Sequence, residues 1–266
     1  MKHTIAVRTG IASLSVLSLI ILLTACSRRH SKSEEQIRID HSEVSASDTS
    51  VNSIRGNLSF SQIASVPHKV VLTGIAEHRL VTVYKTVDEP KENRYRDSYS
   101  SFRYYDEYES EREAHFMPGI DLIHGYNLLN IAHYDMTTEK LNYLFDHPVL
   151  IKSLYYPSYI QDSLYEKPVN RDYYLVSVYD TDTNQDTLIN KQDLRRFYHF
   201  NSAGTEKIQL IPNEYSVVRS QYDPRNDVMY IYARNDTDKS GTIEKGEPLH
   251  IFWFHLKEPA VAKRLY

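Results

Sequence analysis

The chain has 266 residues, with 31 Lys and Arg against 35 Asp and Glu and a net charge of −4. That balance argues against a general nucleic-acid binder, which shows a basic face, and a single cysteine excludes an internal disulfide framework. Twenty-two tyrosines beside only eight glycines suit β-strands and half-buried surfaces.

At the N-terminus, Lys2, His3 and Arg8 precede an uncharged apolar run from Ile11 to Leu23, closed by Leu23-Thr24-Ala25-Cys26. The run is shorter than the roughly 20 residues that span a bilayer. An ordinary export signal needs small residues at its cut but no cysteine after it. This pattern resembles the lipobox of bacterial lipoproteins. The resemblance implies that residues 1–25 are a signal peptide and that Cys26 carries the lipid. It places the chain in the cell envelope, with its body in the periplasm or at the cell surface. Ser27 after the cysteine fits outer-membrane sorting in that family. The alternative is an uncleaved membrane anchor with a chance cysteine. Cleavage removes Lys2 and Arg8, leaving 29 basic against 35 acidic residues, a net charge of −6.

Residues 26–56 are rich in Ser, Glu, Asp, Arg and Lys with isolated Ile and Val, a composition that buries too little apolar surface to order itself. They are expected to form a flexible tether. Residues 57–266 read as a β-repeat domain of short apolar and aromatic runs between polar turns. Expected strands are Lys69–Thr73, His78–Lys85, Ser101–Tyr105, Leu128–Tyr134, Lys140–Phe145 and Val149–Tyr155. Further on come Tyr173–Tyr179, Leu194–Phe200, Lys207–Leu210, Tyr215–Gln221, Val228–Ala233, Leu249–Leu256 and Ala262–Tyr266. Arg94–Glu113 alternates charges and aromatics; it reads as a solvated hairpin or insertion, or as a sugar-binding platform. Gln192–Tyr198 is expected to hold one helical turn.

Two acidic segments carry the clearest chemistry. Asp236-Thr-Asp238-Lys-Ser240-Gly241-Thr242-Ile243-Glu244-Lys-Gly-Glu247 matches the EF-hand loop pattern. Calcium takes six to eight oxygens at about 2.3–2.6 Å, and oxygens at positions 1, 3 and 5 of a tightly wound loop converge on one point. Glycine at position 6 permits the sharp turn, position 7 offers its carbonyl, position 8 is expected to pin the loop in the core, and an acid at position 12 closes the site. The candidate ligands are Asp236, Asp238, Ser240, Thr242 through its carbonyl and Glu247, with Glu244 direct or through water.

A second copy is Asp182-Thr-Asn184-Gln-Asp186-Thr187-Leu188-Ile189-Asn190-Lys-Gln-Asp193. A register starting at Asp180 would put Lys191 at position 12, so the loop starts at Asp182. Its candidates are Asp182, Asn184, Asp186, Leu188 through its carbonyl and Asp193. The closing Asp resembles the calcium loops of dockerin modules. Thr187 stands where glycine is expected, which costs about 1 kcal/mol or more in backbone conformation, and Asp193 is shorter than Glu. This site is expected to be the weaker, giving one or two calcium ions in all.

Val- and Tyr-rich runs before the loops, and Pro248 after the downstream one, argue against the flanking helices of a true EF-hand. The expected unit is strand, calcium loop, strand. Ile189 and Ile243 lie 54 residues apart within similar surroundings, an internal repeat. The Pro-Asp-rich turn at Asp223–Asp227 and the run Tyr198–Gly204 resemble blades of Tol-type β-propellers. The fold expected is therefore all-β, with about four propeller-like blades, or alternatively a β-sandwich or stacked meander. The sequence holds no H-E-x-x-H, no G-x-S-x-G and no phosphate-cradling glycine loop. The function expected is a calcium-binding, membrane-anchored binding or structural module with a protein or glycan partner in the envelope. The alternative is a calcium-dependent propeller hydrolase acting on glycan or phosphoester.

Overall fold

The computed structural model describes residues 35–39, 63–86 and 117–266. The expected signal peptide, Cys26, most of the expected tether, the strand expected at Ser101–Tyr105 and the segment Arg94–Glu113 lie outside them. The described residues are all-β and contain no helix. In chain order the strands are β1 (Gln36–Arg38), β2 (Ser65–Leu72), β3 (His78–Lys85), β4 (Ile120–His124), β5 (Leu128–Asp135), β6 (Lys140–Tyr143), β7 (Leu150–Pro157), β8 (Asp162–Leu164), β9 (Lys167–Val169), β10 (Tyr173–Tyr179), β11 (Leu188–Asn190), β12 (Arg196–Asn201), β13 (Lys207–Gln209), β14 (Tyr215–Asp223), β15 (Val228–Asn235), β16 (Leu249–His255) and β17 (Lys263–Arg264).

Three antiparallel sheets hold most of them, ordered β2-β3-β5-β6, β13-β12-β10-β7-β4 and β14-β15-β16-β17. Two short ladders, β1-β11 and β8-β9, complete the set. The five-stranded sheet lies in the middle, and β10 shows why. Its sequence Tyr-Tyr-Leu-Val-Ser-Val-Tyr is aromatic and β-branched throughout, which suits a strand covered on both faces. Tyr173 and Leu175 enter one core cluster with Met229, Ile231, Phe252 and Phe254 of the C-terminal sheet. Tyr174, Val176 and Val178 enter another with Leu80, Leu128 and Ile131 of the N-terminal sheet. Alternation along one strand thus feeds two cores and stacks the sheets in chain order.

The internal repeat is a repeat of topology. Strands β7-β10-β12-β13 and β14-β15-β16-β17 are both neighbour-to-neighbour meanders, each with an acidic loop between its second and third strands. The β8-β9 ladder is an insertion in the first copy. The described residues thus hold three antiparallel sheets stacked in chain order. Two expectations are corrected. Gln192–Tyr198 forms no helical turn; it closes the upstream loop and enters β12 at Arg196. Within the expected tether, Gln36–Arg38 form a strand, with Ile37 fully buried against Leu129, Leu150 and Ile189. Strands β1, β4, β8, β9 and β11 have no counterpart among the expected ones.

Candidate metal centre

The downstream loop joins β15 to β16. Asp236 opens it and accepts from the backbone N–H of Ser240 at Oδ1 and of Gly241 at Oδ2, both at 3.0 Å. Asp238 also accepts from the Ser240 N–H at 3.0 Å, and the Ser240 hydroxyl accepts from the Thr242 N–H at 3.3 Å. Glu247 returns across the loop, accepting from Thr237 N–H at Oε1 and from Glu244 N–H at Oε2, each at 3.0 Å. Lys239 and Gly241 have left-handed φ values of 59° and 74°; alternating their hand curls the chain and turns the amides inward.

Each carboxylate oxygen so engaged keeps a second lone pair. Asp236, Asp238 and Glu247 place one oxygen each within 4.8 Å of one another. Two oxygens on opposite sides of a calcium ion stand about 4.6–5.2 Å apart, so the trio can hold a metal ion. Asp236 and Glu247 are buried, while Asp238 is exposed. The amide of Ser240, followed by its hydroxyl, holds the Asp238 carboxyl below the ordinary aspartate value. Arg234 fastens the closing turn by donating to the carbonyls of Lys245 and Glu247 at 3.2 and 2.6 Å.

The upstream loop, between β10 and β12, repeats this network. Asp182 accepts from Asp186 and Thr187 N–H at 3.1 and 2.8 Å. Asn184 accepts from Asp186 N–H at 3.1 Å, and Asp186 from Leu188 N–H at 2.9 Å. Asp193 accepts from Thr183 and Asn190 N–H at 2.7 and 2.8 Å. Gln185 and Thr187 carry the left-handed φ values, 61° and 68°. Thr187, a β-branched residue, therefore takes the conformation expected of a glycine.

The two loops differ in what converges. Among the described residues, Asp236, Asp238 and Glu247 are the three carboxylates that meet within 4.8 Å; Asp182, Asp186 and Asp193 form no such group. Asn184 stands at position 3, and Asp193 is one methylene short of a glutamate and is drawn back by three backbone amides, those of Thr183, Asn190 and, at 3.5 Å, Asn184. Burial pushes the Asp193 carboxyl above the ordinary aspartate value. The position-8 residues differ too: Ile189 is buried in a core cluster, whereas Ile243 is half-buried and lies outside the clusters.

Sequence reasoning missed two features. The first is strand β1, which pairs with the exit arm of the upstream loop in the register Gln36↔Asn190, Ile37↔Ile189, Arg38↔Leu188. Ile39 donates to the Thr187 carbonyl at 2.9 Å. Antiparallel partners alternate between bonded and non-bonded pairs, so Leu188 opposite Arg38 is non-bonded and its carbonyl faces away from β1. The alternation Ile37, Ile39 was the available signal. The second is Thr183, whose hydroxyl donates to the Gly241 carbonyl at 2.6 Å and accepts from the Leu194 N–H at 2.9 Å. A Cβ on Gly241 would lie 1.9 Å from the Thr183 carbonyl oxygen. The two loops are therefore in contact, and Gly241 is required by both φ and space.

A cleft of about 380 Å³ is lined by Gly74, Glu77, Ser158, Tyr159, Arg171 and Asp172 among others. Its Arg171 guanidinium is committed to Asp227 through two bonds of 3.0 and 2.7 Å. No family model matches the chain, and no curated protein matches it.

Proposed function

We propose that the chain is a calcium-binding lipoprotein of the cell envelope, held on a membrane by lipid on Cys26 and serving there as a structural or binding module. The observation that carries the calcium reading is the twelve-residue hydrogen-bond network, found twice, which in the downstream loop gathers carboxylate oxygens of positions 1, 3 and 12 within 4.8 Å of one another. All candidate donors are oxygens, and the hard cations calcium and magnesium prefer oxygen. Magnesium demands near-ideal octahedral geometry at about 2.0–2.1 Å and gives up its waters reluctantly, whereas calcium takes the larger, less regular oxygen set that a wound loop offers. One ion sits in the downstream loop and a second, weaker one in the upstream loop. Extracellular sites of this type bind at about 10⁻⁴–10⁻³ M, so calcium outside the cytoplasm keeps the downstream loop filled and its role constitutive. The anchor reading rests on the run before Cys26.

Isothermal titration of the mature chain tests the calcium reading. Heat is expected with calcium, and Asp236→Ala removes the tighter component, because it deletes one ligand, strips the Gly241 amide of its acceptor and leaves the Ser240 amide only Asp238. No heat, or heat unchanged in Asp236→Ala, sinks it. Metabolic labelling with a radiolabelled fatty acid tests the anchor: Cys26→Ala loses the label.

A further inference from the structure

We propose that the outer face of the C-terminal sheet seats on an anionic membrane surface. Strands β15 and β16 send Met229, Ile231, Ala233, Phe252 and Phe254 into the core. Alternation puts Tyr230, Tyr232, Ile251 and Trp253 on the opposite face, with Tyr230 opposite Trp253 and Tyr232 opposite Ile251. Arg219 lies across from Tyr232, and Lys263 across from Trp253. None of these six side chains belongs to a core cluster.

The cations are mounted on the rings. The Arg219 guanidinium stands 3.5 Å from the Tyr232 ring centre, and the Lys263 ammonium 5.2 Å from that of Trp253. Stems laid along aromatic faces keep the charged heads at the surface. The apolar margin runs on to the end of the chain: Leu265 is 58% and Tyr266 75% exposed, and both bond to the backbone of Ile251. Leu249, at the start of β16, is exposed as well.

A flat face of Trp, Tyr, aliphatic residues, Arg and Lys is what the interfacial zone of a bilayer takes. Aromatic rings settle at headgroup level, aliphatic tips gain from the acyl boundary, and basic residues pair with anionic lipid. An acidic glycan would use the rings and cations but gain little from Ile251 and Leu265. The cations also stand out from a chain of net charge −4.

Trp253 is the chain's single tryptophan, so its fluorescence reports this face directly. The mature chain with Cys26→Ser, which no lipid holds, is mixed with vesicles at saturating calcium. With phosphatidylcholine–phosphatidylglycerol vesicles, the emission should shift to the blue and be quenched by brominated lipid. With pure phosphatidylcholine it should not, and high salt should reverse the effect. Arg219→Glu with Lys263→Glu should weaken the partition about tenfold or more while calcium heat persists. If that variant does not fold, the salt dependence decides alone. Unshifted emission, binding indifferent to lipid charge, or a shift with polygalacturonate or polyglutamate in place of vesicles overturns the proposal. A vesicle response in a protein with no calcium heat would leave this face standing and the calcium reading fallen.

Discussion

The two acidic loops have the same backbone and different supports. The downstream loop brings three carboxylates together and leaves its position-8 isoleucine half-buried. The upstream loop has a weaker ligand set, yet it is the better fastened, with Ile189 buried and β1 zipped along its exit arm. Thr242–Glu244, the equivalent stretch downstream, carries no strand. The winding of such a loop is thus set by amide-to-carboxylate bonds and two left-handed residues, and it persists whether or not the acids converge. Convergence of the acids and anchoring of the loop are separate properties, divided here between two copies.

That division is open to attack. Gly241→Ala should have the largest effect, a loss of about 3 kcal/mol in urea unfolding, because a side chain there meets both a left-handed φ and the Thr183 carbonyl. A loss below about 1 kcal/mol would mean that the loops do not touch. Ile37→Ala should cost about 2 kcal/mol and weaken calcium binding upstream while sparing the downstream loop, read by titration. Equal weakening of both would refute the assignment of β1 to one copy. Thr187→Gly should act in the other direction, stabilising by about 1 kcal/mol as the left-handed strain is relieved, with upstream affinity rising about fivefold.

The smallest effect is in pH. In calcium-free protein the buried Asp193 titrates above the ordinary aspartate value and Asp238 below it. The contribution of Asp238 is present above that ordinary value and is lost as pH falls through the lowered one. Asp193 runs the opposite way, since its ionisation opposes folding and acidification relieves it. Carboxyl NMR titration should therefore show Asp193 protonating first on descent, with calcium released from the upstream loop at a higher pH than from the downstream one.

Much of this was legible in the sequence. Strand β3 falls where the alternation of His78–Lys85 placed it, and the second register of the upstream loop was forced by the charge of Lys191. Periodicity sees runs, so the three-residue strands β1, β8, β9 and β11 escaped it; each is held by a partner distant in sequence or by a tight turn. Contact between the loops was equally out of reach, because Thr183 looks like filler at position 2 until the fold brings Gly241 beside it. The stack of three sheets was half visible. The uninterrupted apolar run of β10 signals burial on both faces, but a run cannot say how many further sheets follow.

Strand β1 has a mechanical consequence. Any tension arriving from the N-terminal side of the chain meets Glu35, held by Lys152 and the Asn127 amide, and then the three residues of ladder. Peeling them away would drag on Leu188–Asn190, which are positions 7 to 9 of the upstream loop. Under the proposed calcium reading, load and ion would then compete for the same backbone: a filled loop would stiffen the joint, and a pulled joint would empty the loop.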